Sequence, residues 1–364
     1  MSGNLRVVVI GGVACGPKTA ARLKRLMPDA EVTMLEKGKM VSYGACGLPY
    51  YVEGTFSNIN ALTHTPAGVS RTPEFFRTWK GFQTLTRTEA MAIDRAAKQV
   101  RIRNLENGQE DDLPYDKLVL ATGGRPFKPP IPGLDLKNVW FMTHPDDAAS
   151  LVEEIEHQGL KKAVLVGAGF IGLEVAEALI NRGLEVTMVE MADQIMPGIL
   201  DEDIARLAQI HMDDNDVDLV LGETVTALEG SDRVRTVVTD KGKIEADFVV
   251  IGVGTRPNDD LARAAGLQCG RGRTINEYCQ TSDPDIYAGG DCVPNAYIQR
   301  QVGDPLYVPL GSTANKHGRV IANHIAGKPT PFSGITCSSV VRAFDYTLGR
   351  TGLTERMARA LGID

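Results

Sequence analysis

The chain repeats itself, and that repeat narrows its architecture more than any other feature. RVVVIGGVACG at residues 6–16 returns as KAVLVGAGFIG at 162–172, and VTMLE at 32–36 returns as VTMVE at 186–190. Each copy reads as a strand, a Gly-rich turn, a helix and a second strand. A further pair, DKLVLATGGRP at 116–126 and DFVVIGVGTRP at 247–257, closes each copy with an apolar strand and a Gly-rich turn. Runs such as Val7–Ile10, Val164–Val166 and Val249–Ile251 show no polar alternation, the pattern of parallel strands covered on both faces. The predicted fold class is α/β, with two Rossmann-like dinucleotide-binding domains.

RPFKPPIPGLD at 125–135 is too rich in proline for a helix or a central strand and marks the exit from the first copy. Pro145, Asp146 and Asp147 then read as a helix start. Beyond the second copy, TSDPDIYAGGDC (281–292) reads as a strand, and PLGSTANKHGRVIANHIAG (309–327) as a closely packed helix. Both are expected to complete the first sheet, so that the second domain is inserted in the first. The expected domains are 1–143 with 257–329, then 144–256, with 330–364 either docked or the start of something further.

A length of 364 residues accommodates two or three domains at ~150 residues each. Hydrophobic residues at 43% and charged residues at 23% are ordinary globular values, and no apolar run approaches the ~20 residues of a membrane span. With 39 basic against 46 acidic residues, general attraction to nucleic acid or an anionic membrane is not expected. The six cysteines form no C-x-x-C pair, and the six histidines show no metal-ligand spacing, so no metal site is expected. MSGNLRVVVIGG runs directly into a strand pattern without the core of a secretory leader, which points to a cytoplasmic protein.

In the second turn Gly167, Gly169 and Gly172 have the G-x-G-x-x-G spacing that lets a pyrophosphate rest on a helix N-terminus. Glu190, 23 residues after Gly167, closes the following strand. A carboxylate there accepts both ribose hydroxyls and repels a 2′-phosphate, which predicts NAD(H). The first turn, Gly11-Gly12-Val13-Ala14-Cys15-Gly16 with Glu36, has its middle glycine displaced. Two dinucleotide sites imply two dinucleotides, most economically a resident flavin and a visiting nicotinamide.

Cys46 lies in VSYGACGLPYY (41–51), with flanking glycines for close approach and Pro49 able to open a helix beside the sulfur. It is the candidate nucleophile. Cys15 and Cys292 read as packing. Lys18, Arg22 and Arg25, at i, i+4 and i+7, form one basic stripe that is either a phosphate site or a solvated helix face. His64, His144 and His157 read as surface or turn residues.

Together GGVACG, SYGACGLPYY, ATGGRP, GAGFIGLE, GVGTRPN, YAGGDC and PLGSTANKHGR resemble the pyridine nucleotide-disulfide oxidoreductases over essentially the whole chain. The resemblance is to their single-cysteine branch: coenzyme A-disulfide reductases, NADH-dependent persulfide reductases and NADH oxidases or peroxidases. It implies that Gly11, Gly12, Ala14, Glu36, Lys37, Ala121, Thr122, Gly123 and Asp291 hold FAD. It further implies that Glu174 sits near the nicotinamide of NADH and that Cys46 is redox-active. Lys18, Arg22, Arg25, Ser42, Lys80 and Asn315 are the implied contacts for a coenzyme A-type substrate. By the same resemblance the first domain binds FAD, the second binds NAD, and 330–364 begins a C-terminal dimerisation domain that makes the family homodimeric.

Tyr51 stands where glutathione reductase-like members carry a second cysteine, so Cys46 must pair with an external sulfur. Ala14 stands where oxidases and peroxidases typically carry a histidine, which disfavours oxygen chemistry. The chain stops near the start of the family's dimerisation domain; either it is part of a longer protein or its active site differs. The expected function is FAD-dependent NADH:disulfide or persulfide reduction, with coenzyme A compounds, polysulfide and small thiols all open as substrates. An oxidase or peroxidase cycling Cys46 through sulfenic acid is the alternative, and a redox-sensing protein of low turnover is the third.

Overall fold

The computed structural model describes residues 4–270, 274–294 and 306–363. The chain divides into two compact units, Met1–Gly44 with Thr63–Arg125 and Arg256–Thr336, and Ala45–Leu62 with Pro126–Thr255 and Cys337–Asp364. The divisions after Arg125 and Thr255 compare with 143/144 and 256/257 read from the sequence, and the Cys46 segment counts with the second unit. The expected range 257–329 includes 271–273 and 295–305, which lie outside the described residues.

The first unit is built on a five-stranded sheet in the order Ile286–Ala288, Lys117–Leu120, Arg6–Ile10, Glu31–Leu35, Gln83–Leu85, every pairing parallel. Val9, fully buried, sits at its centre between Met34 and Val119. Strand Ile286–Ala288 adds to the edge of Lys117–Leu120, so the late segment does return to the first sheet. Helix Cys15–Leu26 makes the first crossover, burying Gly16, Thr19, Ala20 and Leu23. Helix Gly311–Ile325 packs close upon it: a Cβ on Gly318 would lie 2.7 Å from the Cys15 carbonyl oxygen, so only glycine permits this approach. Between strands Gln83–Leu85 and Lys117–Leu120 stands an antiparallel meander, Thr88–Asp94, Gln99–Asn104 and Glu110–Pro114, which the repeat does not announce.

The second unit repeats the plan. Its parallel sheet runs Val217–Leu221, Glu185–Glu190, Lys162–Val166, Phe248–Ile251, Val139–Trp140. A meander, Val225–Gly230, Val234–Thr239 and Lys243–Glu245, occupies the corresponding place. Helix Pro145–Gln158 begins where Pro145 predicts, and His144 completes it as a capping box, its Nδ1 accepting from the Asp146 amide while its own amide donates to Asp147. The hairpin Ser339–Ala343/Tyr346–Arg350 is docked on this unit. Arg342 donates to Glu177 at 2.9 Å, and Arg350 donates to the Gly198 carbonyl at 2.6 Å. No helix among the described residues is long and apolar enough to cross a membrane.

Leu165, 1% exposed, lies between Met188 and Val250 in the second sheet. Leu165→Ala is expected to cost about 2–5 kcal/mol through lost burial and the cavity left behind. The measurement is the urea midpoint followed by Trp140 fluorescence in a Trp79→Phe background.

Candidate active site

Each unit carries a Gly-rich turn of the same construction. Gly11 and Gly167 have φ of +113° and +102°, which strongly favours glycine. Their amides donate to the Leu35 and Val189 carbonyls, each at 2.8 Å. A Cβ on Gly11 would stand 2.0 Å from the Ala121 oxygen, and one on Gly16 or Gly172 would stand 1.9 or 2.2 Å from the carbonyl oxygen of Gly11 or Gly167. A Cβ on Gly169 would meet nothing within 4 Å, which leaves the open approach that a pyrophosphate needs. Val13 holds the corresponding place in the first copy.

The helices that follow begin bare. Cys15–Leu26, with Ala14 as its N-cap residue, and Phe170–Asn181, with Gly169 as its N-cap residue, have no side-chain cap and no acid in the first turn. Their leading N–H groups are thus left for an anion, in contrast to the boxed start of Pro145–Gln158.

Each turn faces a carboxylate held by two amides. Glu36 accepts from Gly12 at 2.8 Å and Gly38 at 2.7 Å; Glu190 accepts from Ala168 at 2.9 Å and Ala192 at 3.0 Å. Every oxygen so fixed keeps further acceptor capacity, which suits a pair of ribose hydroxyls. This donor and acceptor set fits a dinucleotide in each unit. Lys37, beside Glu36, instead pairs with Glu89 at 2.7 Å.

Ala121, Thr122 and Gly123 form the adjoining turn. Ala121 donates to the Ile10 carbonyl at 2.7 Å, and the Thr122 hydroxyl donates to the Asn258 carbonyl at 2.6 Å. Burial pushes the Asp291 carboxyl up. The Gly-Gly-Asp turn carrying Asp291 is held by His317, completely buried, whose Nδ1 accepts from the Gly290 amide at 3.0 Å. Burial drives the His317 pKa down to about 4, so the ring stays neutral and able to accept. The sequence offers only NKHGR as a hint of this; the histidine's burial, not its neighbours in the chain, gives it the role.

Cys46 is exposed, in the 3-10 turn Ala45–Gly47 that precedes the short helix Leu48–Glu53. Cys15, Cys279, Cys292 and Cys337 are buried, and burial pushes all four thiols up, which suits packing and not nucleophilic attack. Gly47 allows the turn to close, since a Cβ there would lie 2.4 Å from Leu62 Cδ2. Tyr51 packs its ring against Phe56, with centroids 5.9 Å apart. In the first unit Ser42 takes φ +52°, its amide donating to Gly12 and its carbonyl accepting from Arg71 at 2.8 Å.

Lys18, Arg22 and Arg25 do share a face, and the fold adds Arg319 from helix Gly311–Ile325. Burial first, then Arg319, Arg25 and Arg22, lowers the Lys18 pKa. Arg22 donates to Asn323 at 2.6 Å. Asn315, four residues before Arg319, donates to the Gly311 carbonyl, and Lys80 lies 5.3 Å from the centre of the Phe75 ring. Lys80 adjoins Gly81, where a Cβ would stand 3.2 Å from Lys24 of the basic helix.

The family model of the pyridine nucleotide-disulphide oxidoreductases matches residues 5–317. The chain belongs to this family. Its members are FAD-dependent enzymes that use NADH, and the two turns fit that pair of nucleotides. The chain is 42% identical to an NAD-dependent persulfide reductase from A. fulgidus, with a TM-score of 0.95, over 99% of this chain and 66% of that one. It is 37% identical to the CoA-dependent NAD(P)H sulfur oxidoreductase of Pyrococcus abyssi, over 98% of this chain and 78% of that one. It is 35% identical to an NADH oxidase of Methanocaldococcus jannaschii, over 96% and 76%. The chain thus spans about two thirds to four fifths of these relatives.

In this oxidoreductase Glu174, expected near the nicotinamide, is half-buried in a small pocket with Pro49, Tyr50 and Glu53 of the helix after Cys46. Burial, then the charge of Glu177, raises its pKa from 4.5 to about 7. An acid whose folded pKa is raised destabilises the fold as pH rises from its unfolded to its folded value. Glu174→Gln removes that penalty. Its Tm is expected to match wild type below pH 4.5, to exceed it increasingly up to about pH 7 and to keep a constant margin above that, as scanning calorimetry would measure.

Proposed function

We propose that this protein uses NADH to reduce the sulfur–sulfur bond of a small disulfide or persulfide, with a coenzyme A compound as the preferred carrier. The observation that carries the reading is Cys46: an exposed thiol whose usual partner position is the Tyr51 ring, in a chain that also presents the Lys18, Arg22, Arg25 and Arg319 cluster. The persulfide and sulfur reductases among its relatives support it.

Gly11, Gly12, Ala14, Glu36, Lys37, Ala121, Thr122, Gly123 and Asp291 are assigned to FAD, and Gly167, Gly169, Gly172, Glu174 and Glu190 to NADH. Bound FAD supplies two-electron transfer between nicotinamide and sulfur. The Cys46 thiolate attacks one sulfur of R–S–S–R′ or R–S–SH. One Cys46–sulfur bond forms as the substrate bond breaks, and R′S⁻ or hydrosulfide departs. Two electrons then return Cys46 to thiolate and release the second sulfur. Glu190 selects NADH by repelling a 2′-phosphate, and the basic cluster, with Ser42, Lys80 and Asn315, holds the phosphates of coenzyme A. The setting is a reducing cytoplasm, and the native protein is a homodimer.

Cys46→Ser is expected to keep NADH-dependent flavin bleaching while anaerobic turnover of coenzyme A disulfide and persulfide drops to background; retained turnover sinks the mechanism. The oxidase reading, favoured by the M. jannaschii relative and opposed by Ala14, requires Cys46-dependent oxygen uptake instead. Lys18→Gln and Arg22→Gln should each raise KM for coenzyme A disulfide about tenfold while leaving KM for pantethine, which lacks the nucleotide phosphates, unchanged. Equal effects on both substrates would move the phosphate site elsewhere.

A further inference from the structure

Helix Phe170–Asn181 leaves the NAD turn carrying two carboxylates three residues apart, Glu174 and Glu177, which line one pocket. Glu177 is 7% exposed, and both its oxygens are engaged: one accepts from Arg342 Nη2 at 2.9 Å, the other from the Phe344 amide at 3.0 Å. Arg342 lies in the C-terminal hairpin and Phe344 in its turn, so the hairpin grips this helix at the residue next to Glu174 on the same face. The pocket's remaining charged or titratable side chains are Tyr50 and Glu53, from the helix after Cys46. These two also act on Arg342.

We propose that Glu177, fixed by the C-terminal hairpin, is a positioning residue that governs when Glu174 holds its proton, and that the hairpin thereby tunes oxidation of NADH. The proposal rests on the reading that Glu174 faces the nicotinamide. When NADH gives up a hydride, two electrons and a hydrogen nucleus leave together, and the ring becomes positively charged. A carboxylate at Glu174 favours that charge and a carboxylic acid does not. Glu177 sets the balance because its negative charge opposes a second one beside it, and Arg342 sets how much of that charge Glu174 feels.

Opposite signs follow. Glu177→Gln removes the neighbouring charge, so Glu174 loses its proton at lower pH; Arg342→Gln unmasks that charge, so Glu174 keeps its proton to higher pH. A purely structural role for the pair would not split the two variants in this way. The test has two readouts on the FAD-loaded protein. One is the side-chain carboxyl ¹³C titration of glutamate-labelled protein, with Glu174→Gln assigning the resonance. The other is the pH dependence of the anaerobic rate at which NADH bleaches the flavin.

The expected result is a midpoint lowered by about one pH unit in Glu177→Gln, raised in Arg342→Gln and restored in Arg342→Lys, with the bleaching profile moving in step. Midpoints that stay put, or move the same way in both variants, overturn the coupling. A bleaching profile that Glu174→Gln leaves unchanged refutes the placement of Glu174 at the nicotinamide, and the proposal with it. A profile that Glu174→Gln flattens but the other two leave in place refutes the hairpin's role alone. Arg342 is half-exposed, so its variants keep the test open if Glu177→Gln does not fold.

Discussion

Everything in this molecule depends on three places where backbone must touch backbone. At Gly11 against Ala121, and at Gly16 and Gly172 against the first glycine of their own turns, a Cβ would come within 2.2 Å of a carbonyl oxygen. That contact brings the crossover helix down onto its strand, which puts the bare helix start at the carboxyl edge of the sheet. A larger residue at any of these positions separates strand from helix and removes the anion site with the same displacement.

The second constraint is that the groups assigned to the nucleotides are held in place by the fold itself. Glu36 and Glu190 are each held by two amides. The Asp291 turn is anchored on a histidine that burial keeps neutral. Cys46 differs in kind: its thiol is exposed on the short turn Ala45–Gly47. The protein therefore combines hydrogen-bonded Gly-rich turns with an exposed candidate nucleophile, as expected of an enzyme whose cofactor stays and whose substrate visits.

Helix Phe170–Asn181 serves two ends. Its first turn stands open to a diphosphate, and one turn later Glu177 is committed to the C-terminal hairpin. Glu174 lies between, with its carboxyl near neutrality. A segment that looks in sequence like the opening of another domain is thus joined to the helix that follows the second Gly-rich turn.

The sequence by itself determined the doubled α/β plan, the parallel strands, the two turns with their acids and the identity of the candidate nucleophile. Each of these is a local pattern: glycine where φ is positive, an acid at a fixed offset, unbroken apolar runs where both faces are covered. The basic stripe was legible as a helical period, but whether it was a site or a solvated face was not. Arg319, nearly three hundred residues away, settles its company by helix packing. Tertiary structure alone decided the role of His317, the raised carboxyl of Glu174 and the grip of Arg342 on Glu177. These follow from burial and from charges that distant segments bring together, and no spacing along the chain records how much water a side chain loses when its neighbours close over it.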